Sequence, residues 1–154
     1  MNHKLRILPL ILVATFASCT PVENEQMSKN ALIDFDYSLY PHLDWQDSLK
    51  QQESNYLLFF YSKTCTYCQE IIEDVQAFCD ENIMKVYWIN TRETSTTIPV
   101  SYDIDKTLGV DDVSNLFIRG TPSIIEVFKG IVVANVPGKE NCLTFINDQR
   151  LHKR

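Results

Sequence analysis

The sequence predicts an α/β domain with a central mixed β-sheet and helices on both faces. Three observations lead to this prediction. Residues 56–61 form an apolar run of strand length, the residues after Cys65 repeat their apolar positions with a period near four, and residues 124–136 form two apolar runs around a Lys-Gly turn. The elements follow the order strand-helix, strand-helix, hairpin, helix, which suits a mixed sheet covered on both sides.

Residues 1–18 have the features of a secretory signal. A basic start is followed by an apolar run over residues 7–16, which is too short for a comfortable membrane span, and two small residues precede Cys19. This end resembles a bacterial lipoprotein cleavage site, which implies that Cys19 is lipidated and begins the mature chain. The alternatives are an ordinary secretory signal cut nearby and an uncleaved anchor. All three place the domain outside the cytoplasm, and the first holds it at the cell membrane through a lipid.

Residues 19–31 are polar and lack periodicity, so we expect a tether there and a folded domain over residues 32–154. Apolar and acidic residues alternate over residues 33–37, which predicts a short edge strand. Trp45 and Leu49 are spaced for one face of a short helix, which would lead the chain into the central strand.

Two cysteines lie where the strand over residues 56–61 gives way to a helix that runs to about Asp80. The unpaired N–H groups and the positive dipole end of a helix start favour the thiolate of a cysteine placed there. Cys65 is therefore the predicted nucleophile. Cys68, one turn further along, is predicted to close a disulfide with Cys65 or to resolve a mixed disulfide with a substrate.

The helix after the cysteines carries an apolar stripe that we expect to pack on the sheet, with Cys79 as a small buried member. Residues 83–90 are the next predicted strand. Residues 91–110 are irregular, rich in threonine and broken by Pro99, and they either shape a substrate groove near the cysteines or form a tolerated insertion. A short helix is predicted around Val113.

A Thr-Pro pair, Thr121 and Pro122, precedes the predicted hairpin, and residues 140–151 are predicted to close the chain as a helix. The CxxC motif of Cys65 and Cys68 together with this Thr-Pro pair resembles the thioredoxin-like family. The resemblance covers roughly residues 43–150 and implies the fold of that family. It also implies a cis bond before Pro122, which packs against both cysteines, and a Thr121 backbone offered to an extended substrate strand.

The residues around the motif resemble the family unevenly. Tyr67 is similar to the tyrosine in the CPYC motif of glutaredoxins and is a predicted substrate contact. Phe59 stands where thioredoxins proper have a buried acid, Thr64 where a tryptophan commonly precedes the first cysteine, and Thr66 where proline or glycine is common. These departures favour a narrow range of clients over a fast general reductase.

The resemblance implies an extracytoplasmic thiol-disulfide oxidoreductase that exchanges disulfides with protein or peptide clients and is recycled by a redox partner that the sequence does not identify. No cofactor is predicted. The alternative is a non-catalytic thioredoxin-like surface adaptor, for example an accessory to peptide or bacteriocin export. The presence of both Cys65 and Cys68 favours the enzyme.

Other functions fit the composition less well. The formal net charge is −6 and the basic residues are scattered, which argues against a nucleic-acid partner. A zinc site needs about four ligands, yet the chain has a single CxxC and its His42 and His152 are distant from it, so no metal is predicted. The family architecture also separates Cys79 from Cys142, so we do not expect a disulfide between them.

Overall fold

The computed structural model describes residues 35–152, which contain a four-stranded sheet, two α-helices and four 3-10 helices. The strands and α-helices follow one another as β1 (Asn55–Tyr61), α1 (Thr66–Asp80), β2 (Lys85–Asn90), β3 (Ser123–Phe128), β4 (Ile131–Pro137) and α2 (Lys139–His152). The 3-10 helices span Tyr37–Leu39, Trp45–Asp47, Ile104–Thr107 and Val113–Asn115.

The sheet has the strand order β2-β1-β3-β4 and is mixed, as predicted. β1 pairs in parallel with β2, because α1 carries the chain back across the sheet, and pairs antiparallel with β3. β3 and β4 form the predicted hairpin around Lys129 and Gly130. Both occupy the left-handed region, with φ of 52° and 79°, which is the backbone that a tight two-residue hairpin turn requires.

β1 is buried on both faces and divides the core in two. On one face, Leu57, Phe59 and Tyr61 pack against α1 and α2. On the other face, the alternate β1 side chains pack against Trp45 and Leu116, which lie on and beside 3-10 helices. The second face is thus covered by short 3-10 turns and extended loop, while both α-helices lie on the first.

The predicted edge strand over residues 33–37 is wrong in its described part. Tyr37 begins a 3-10 helix, and the carboxylate of Asp36 caps that helix by accepting from the Ser38 N–H at 3.0 Å. The alternating pattern instead arises because the rings of Phe35 and Tyr37 pack on the same core, where the Phe35 ring stacks 5.7 Å from Trp88. Pairing with the edge of β2 occurs later, as an isolated bridge at His42.

The other predicted elements occur with small changes in length. The helix expected around Trp45 is a single 3-10 turn, and Leu49 packs beside it on the same core. The helix expected around Val113 is also one 3-10 turn, whose N-cap is Asp112.

Several sequence predictions lie outside the described residues. The signal peptide, the lipidation site at Cys19 and the tether over residues 19–31 all fall there. Between residues 35 and 152, neither α-helix combines the length and the apolar character needed to cross a membrane.

Candidate active site

Cys65 is the N-cap of α1, as the spacing predicted. Its sulfur accepts the backbone N–H of Cys68 at a distance of 3.3 Å, which satisfies one of the donors that a helix start leaves unpaired. The thiol of Cys65 in turn donates to the carbonyl oxygen of Thr121 at 3.4 Å. The first cysteine is therefore fixed from two sides, by the helix that it caps and by the loop before β3.

The turn between β1 and α1 is held by its own hydrogen bonds. The carbonyl oxygen of Ser62 accepts the N–H of Cys65 at 3.0 Å, and the Ser62 and Thr64 hydroxyls lie 3.0 Å apart. The Gln69 side chain reaches back from α1 and donates to the carbonyl oxygen of Lys63 at 2.8 Å. These contacts give Cys65 a defined position relative to the sheet.

The two cysteines differ in access to solvent. Cys65 is partly exposed, whereas Cys68 is fully buried and belongs to the core beneath α1. Burial, followed by the hydrogen bond to Cys65, raises the pKa of the Cys68 thiol to about 12. A reagent in solution therefore meets Cys65 first, and Cys68 is protonated at neutral pH.

The Thr121-Pro122 pair lies directly beside Cys65, and its peptide bond is cis, as the resemblance implied. Pro122 is buried, and its carbonyl oxygen accepts the N–H of Gly138 at 2.8 Å. Gly138 has a φ of 88°, a conformation suited to glycine, and it lies between β4 and α2. Within residues 35–152 the N–H of Thr121 has no hydrogen-bond partner.

Tyr67 is the exposed member of the motif, with 60% of its surface accessible. The ammonium group of Lys139, at the start of α2, lies 5.8 Å from the Tyr67 ring centroid and 2.6 Å from the Glu70 carboxylate. Tyr67 thus stands at the rim of the site as an aromatic surface with a cation beside it.

Lys63 does not serve as a free cation for the cysteines. Its ammonium group lies 2.9 Å from the carboxylate of Glu93 and 5.5 Å from the centroid of the Tyr37 ring. The partner of Lys63 is thus an acid 30 residues away in sequence and not the nearby thiol.

Sequence reasoning missed a hydrogen bond at the carboxyl end of β1. The hydroxyl group of Tyr61 lies 2.8 Å from Nε2 of His42, and Nδ1 of the same ring lies 2.8 Å from the carbonyl oxygen of Tyr40. A carbonyl only accepts, so Nδ1 carries the proton and Nε2 of the neutral ring accepts from Tyr61. No pattern in the sequence links His42 to Tyr61, because the two are 19 residues apart.

The remaining described cysteines are structural in their surroundings. Cys142 is buried at the start of α2, donates to the carbonyl oxygen of Val136 at 3.3 Å, and has a pKa raised to about 12 by burial. Cys79 is half-buried, and burial raises the pKa of its thiol to about 11. Across residues 35–152, no three His, Cys, Asp or Glu side chains come together as a metal site.

The fold and the paired cysteines define a thioredoxin-like protein, as predicted. Mitochondrial thioredoxin 3 from Saccharomyces cerevisiae shares 14% identity with a TM-score of 0.50, over 73% of this chain and 97% of the yeast protein. The Malassezia sympodialis thioredoxin shares 13% identity with a TM-score of 0.51, over 75% of this chain and 91% of the fungal protein. A mutant thioredoxin from Halobacterium salinarum shares 18% identity with a TM-score of 0.50, over 74% of this chain and 90% of the Halobacterium protein. Likeness at these identities establishes the fold.

A family model described as "TraF: F plasmid transfer operon protein" matches residues 43–134, which is more than half of the chain. The chain belongs to this family. A comparison with curated proteins finds no match.

Proposed function

We propose that this protein is an extracytoplasmic thiol-disulfide oxidoreductase with Cys65 as its nucleophile and Cys68 as its resolving thiol. One observation carries the proposal. A partly exposed sulfur caps a helix at 3.3 Å from the backbone of a fully buried second cysteine. This pairing supplies an accessible thiol for attack and a protected thiol for resolution, which is the division of labour that disulfide exchange requires.

The reduced site acts on a client disulfide in two steps. The thiolate of Cys65 attacks one client sulfur, the client S–S bond breaks, and the departing client thiolate takes up a proton. Cys68 then loses its proton and attacks the sulfur of Cys65, which releases the second client thiol and leaves a Cys65–Cys68 disulfide. Two electrons pass from the pair to the client, and the same steps in reverse oxidise a client dithiol.

Substrate binding is proposed at Thr121, Pro122 and Tyr67. The N–H of Thr121 would pair with a carbonyl oxygen of an extended client segment, which adds a short strand beside Cys65. Pro122 would form the floor of this contact, and the exposed ring of Tyr67 would cover the client on the other side of the thiol. The client class is a protein or peptide that carries a cysteine.

The cellular setting is part of the same proposal. Residues 1–18 would direct export, Cys19 would carry the lipid that holds the protein at the cell membrane, and residues 19–31 would be the tether. A second redox protein would recycle the cysteine pair. The family description, which refers to F plasmid transfer, supports a place in the cell envelope because transfer crosses it.

The test is the redox equilibrium of the two cysteines in the full-length protein, equilibrated in glutathione or dithiol buffers and followed by alkylation of free thiols. A potential near about −120 mV would identify an oxidant that donates its disulfide, and one near about −270 mV a reductant. A pair that neither opens nor closes while the protein stays folded would overturn the proposal. A Cys65→Ser variant with full function in the cell would likewise favour the adaptor.

A further inference from the structure

The irregular segment after β2, residues 91–100, is an ordered wall beside the thiol site. Its far end joins the chain before β3 through an isolated bridge between Val100 and Ile118. In this bridge the Ile118 N–H donates to the carbonyl oxygen of Pro99 at 3.1 Å, and the Ser101 N–H donates to Ile118 at 3.0 Å. Its near end is tied to β1, since the Thr91 N–H donates to the carbonyl oxygen of Tyr61 at 2.9 Å.

The middle of this wall is held by side chains of the segment that precedes β1. The carboxylate of Asp44 accepts the N–H of Ser95 at 2.7 Å and the Ser95 hydroxyl at 2.9 Å. The Gln46 amide donates to the Thr96 hydroxyl at 2.8 Å. These three hydrogen bonds join residues about 50 positions apart in sequence and fix the shape of the wall. A tolerated insertion requires no fixed shape, so the bonds favour a functional role for this segment.

Between this wall and the Thr-Pro pair lies an open cavity of about 530 Å³. Its lining combines threonine and serine residues of the wall with Gly120 and Thr121, and Thr121 is also the residue whose carbonyl oxygen accepts the Cys65 thiol. The volume is in the range of ordinary ligand pockets, which suits a short segment of polypeptide. A client strand that pairs with Thr121 would therefore extend into it.

Arg92 is the one charged residue among the described residues that line the cavity. Arg119 is exposed next to the lining residues, with its guanidinium 5.2 Å from the Tyr102 ring centroid. Neither guanidinium forms an ion pair with a carboxylate of residues 35–152. Of the acids on either side, Glu93 is paired with Lys63, whereas Asp44 keeps its negative charge because its partner Ser95 is neutral. An unpaired arginine offers two parallel donors to a carboxylate.

We propose that this cavity selects clients with an acidic residue close to the reacting cysteine, and that Arg92 binds that residue's carboxylate. The inference rests on the proposed function and names its substrate class, an extended acidic cysteine-containing segment. The protein has a formal charge of −6, so its overall field repels an acidic client. A preference for acidic clients must therefore come from this local site.

The experiment compares two disulfide-linked peptides that differ only in having Glu or Gln two residues from the cysteine. The full-length protein should react about threefold faster with the Glu peptide, the size expected of a partly exposed ion pair, and the ratio should shrink at high salt. Arg92→Gln should bring the ratio to one, Arg92→Glu should invert it, and Arg92→Lys should restore part of it. Lys129→Asn is the matched control, because it removes one exposed positive charge just after the other end of β3. Asparagine tolerates the positive φ of this position, so the backbone should not change.

Equal rates with both peptides, or a ratio that Arg92→Gln leaves unchanged, would overturn the inference. A loss of the ratio in Lys129→Asn would also overturn it, because net charge alone would then explain the preference. Binding of the same peptides with serine in place of cysteine, followed by fluorescence anisotropy, separates the two proposals. If exchange is absent but the Glu peptide binds more tightly through Arg92, the proposed function fails, and only the preference of Arg92 for an acidic segment is retained.

Discussion

The thiol of Cys65 lies 3.4 Å from the carbonyl oxygen of Thr121, although 56 residues separate the two in sequence. This contact joins the start of α1 to the loop before β3. It places Cys65 beside a residue, Thr121, that also lines the cavity next to the segment over residues 91–100. The thiol and the proposed client surface therefore adjoin each other.

Removal of the resolving cysteine should trap clients. In Cys68→Ser the attack by Cys65 still forms a mixed disulfide, but no second thiol releases the client, so covalent adducts should accumulate well above the wild-type level. Non-reducing electrophoresis and mass spectrometry of the full-length protein from cells would detect them.

The controls for trapping use the other cysteines. The double variant Cys65→Ser with Cys68→Ser should form no adducts, and Cys79→Ser should behave like wild type because Cys79 belongs to the rim of the core. Equal adduct levels in Cys68→Ser and in the double variant would contradict the assignment of Cys65 as nucleophile.

The reduced protein should lose stability in alkaline solution. Burial raises the pKa of Cys68 from its ordinary 9.0 to about 12, so above pH 9 the unfolded chain releases a proton that the folded state keeps. Stability from this thiol is fully present below pH 9 and is lost as the pH rises towards 12, by at most about 1.4 kcal/mol per pH unit. Urea unfolding under reducing conditions at several pH values would measure it.

The Cys68→Ala variant isolates that contribution from other groups that titrate in this range. Its free energy of unfolding should fall less steeply with pH than that of the wild type. Parallel slopes for the two proteins would show that the Cys68 thiol titrates alike in the folded and unfolded states.

The wall over residues 91–100 should loosen when Asp44 is changed. Asp44→Ala removes both hydrogen bonds to Ser95 and the cap of the 3-10 helix at Trp45–Asp47, so the amides of residues 94–97 should exchange with solvent faster while those of β1 do not. Hydrogen exchange with mass spectrometry would resolve the two regions. Asp47→Ala is the control, since within the described part of the chain the exposed Asp47 side chain pairs with Lys50 alone. If both variants exchange alike, Asp44 does not hold the wall.

The hydroxyl of Tyr61 should contribute measurably to stability. Tyr61→Phe keeps the buried ring but leaves Nε2 of His42 without its partner, which should lower the free energy of unfolding by about 1 kcal/mol. Tyr67→Phe removes a hydroxyl from an exposed ring with no hydrogen bond among the described residues, so it should leave stability unchanged. Chemical denaturation of the wild type and the two variants makes the comparison. If Tyr61→Phe has the same free energy of unfolding as the wild type, the hydrogen bond to His42 is not maintained in solution.

The parts of this protein that sequence could predict are those with a local cause. An apolar run wholly buried in β1, a fourfold apolar period in α1 and a Lys-Gly turn between β3 and β4 each leave a pattern over a few adjacent residues. The position of Cys65 at a helix start followed from where two such patterns meet. The 33–37 segment misled because packing of Phe35 on a core also produces alternation, without a neighbouring strand.

Tertiary structure decided what surrounds the cysteines. The pairing of Lys63 with Glu93, the bond between Tyr61 and His42, and the anchoring of Ser95 by Asp44 join side chains 19 to 51 residues apart. Such contacts depend on where strands and turns come to lie, so no periodicity in the chain announces them. The sequence by itself determined the four strands, the two α-helices and the cysteine pair, because local backbone preference and burial act on neighbouring residues. The groove beside the thiol came only from folding, because hydrogen bonds form between whichever groups the packed sheet brings within about 3 Å of each other.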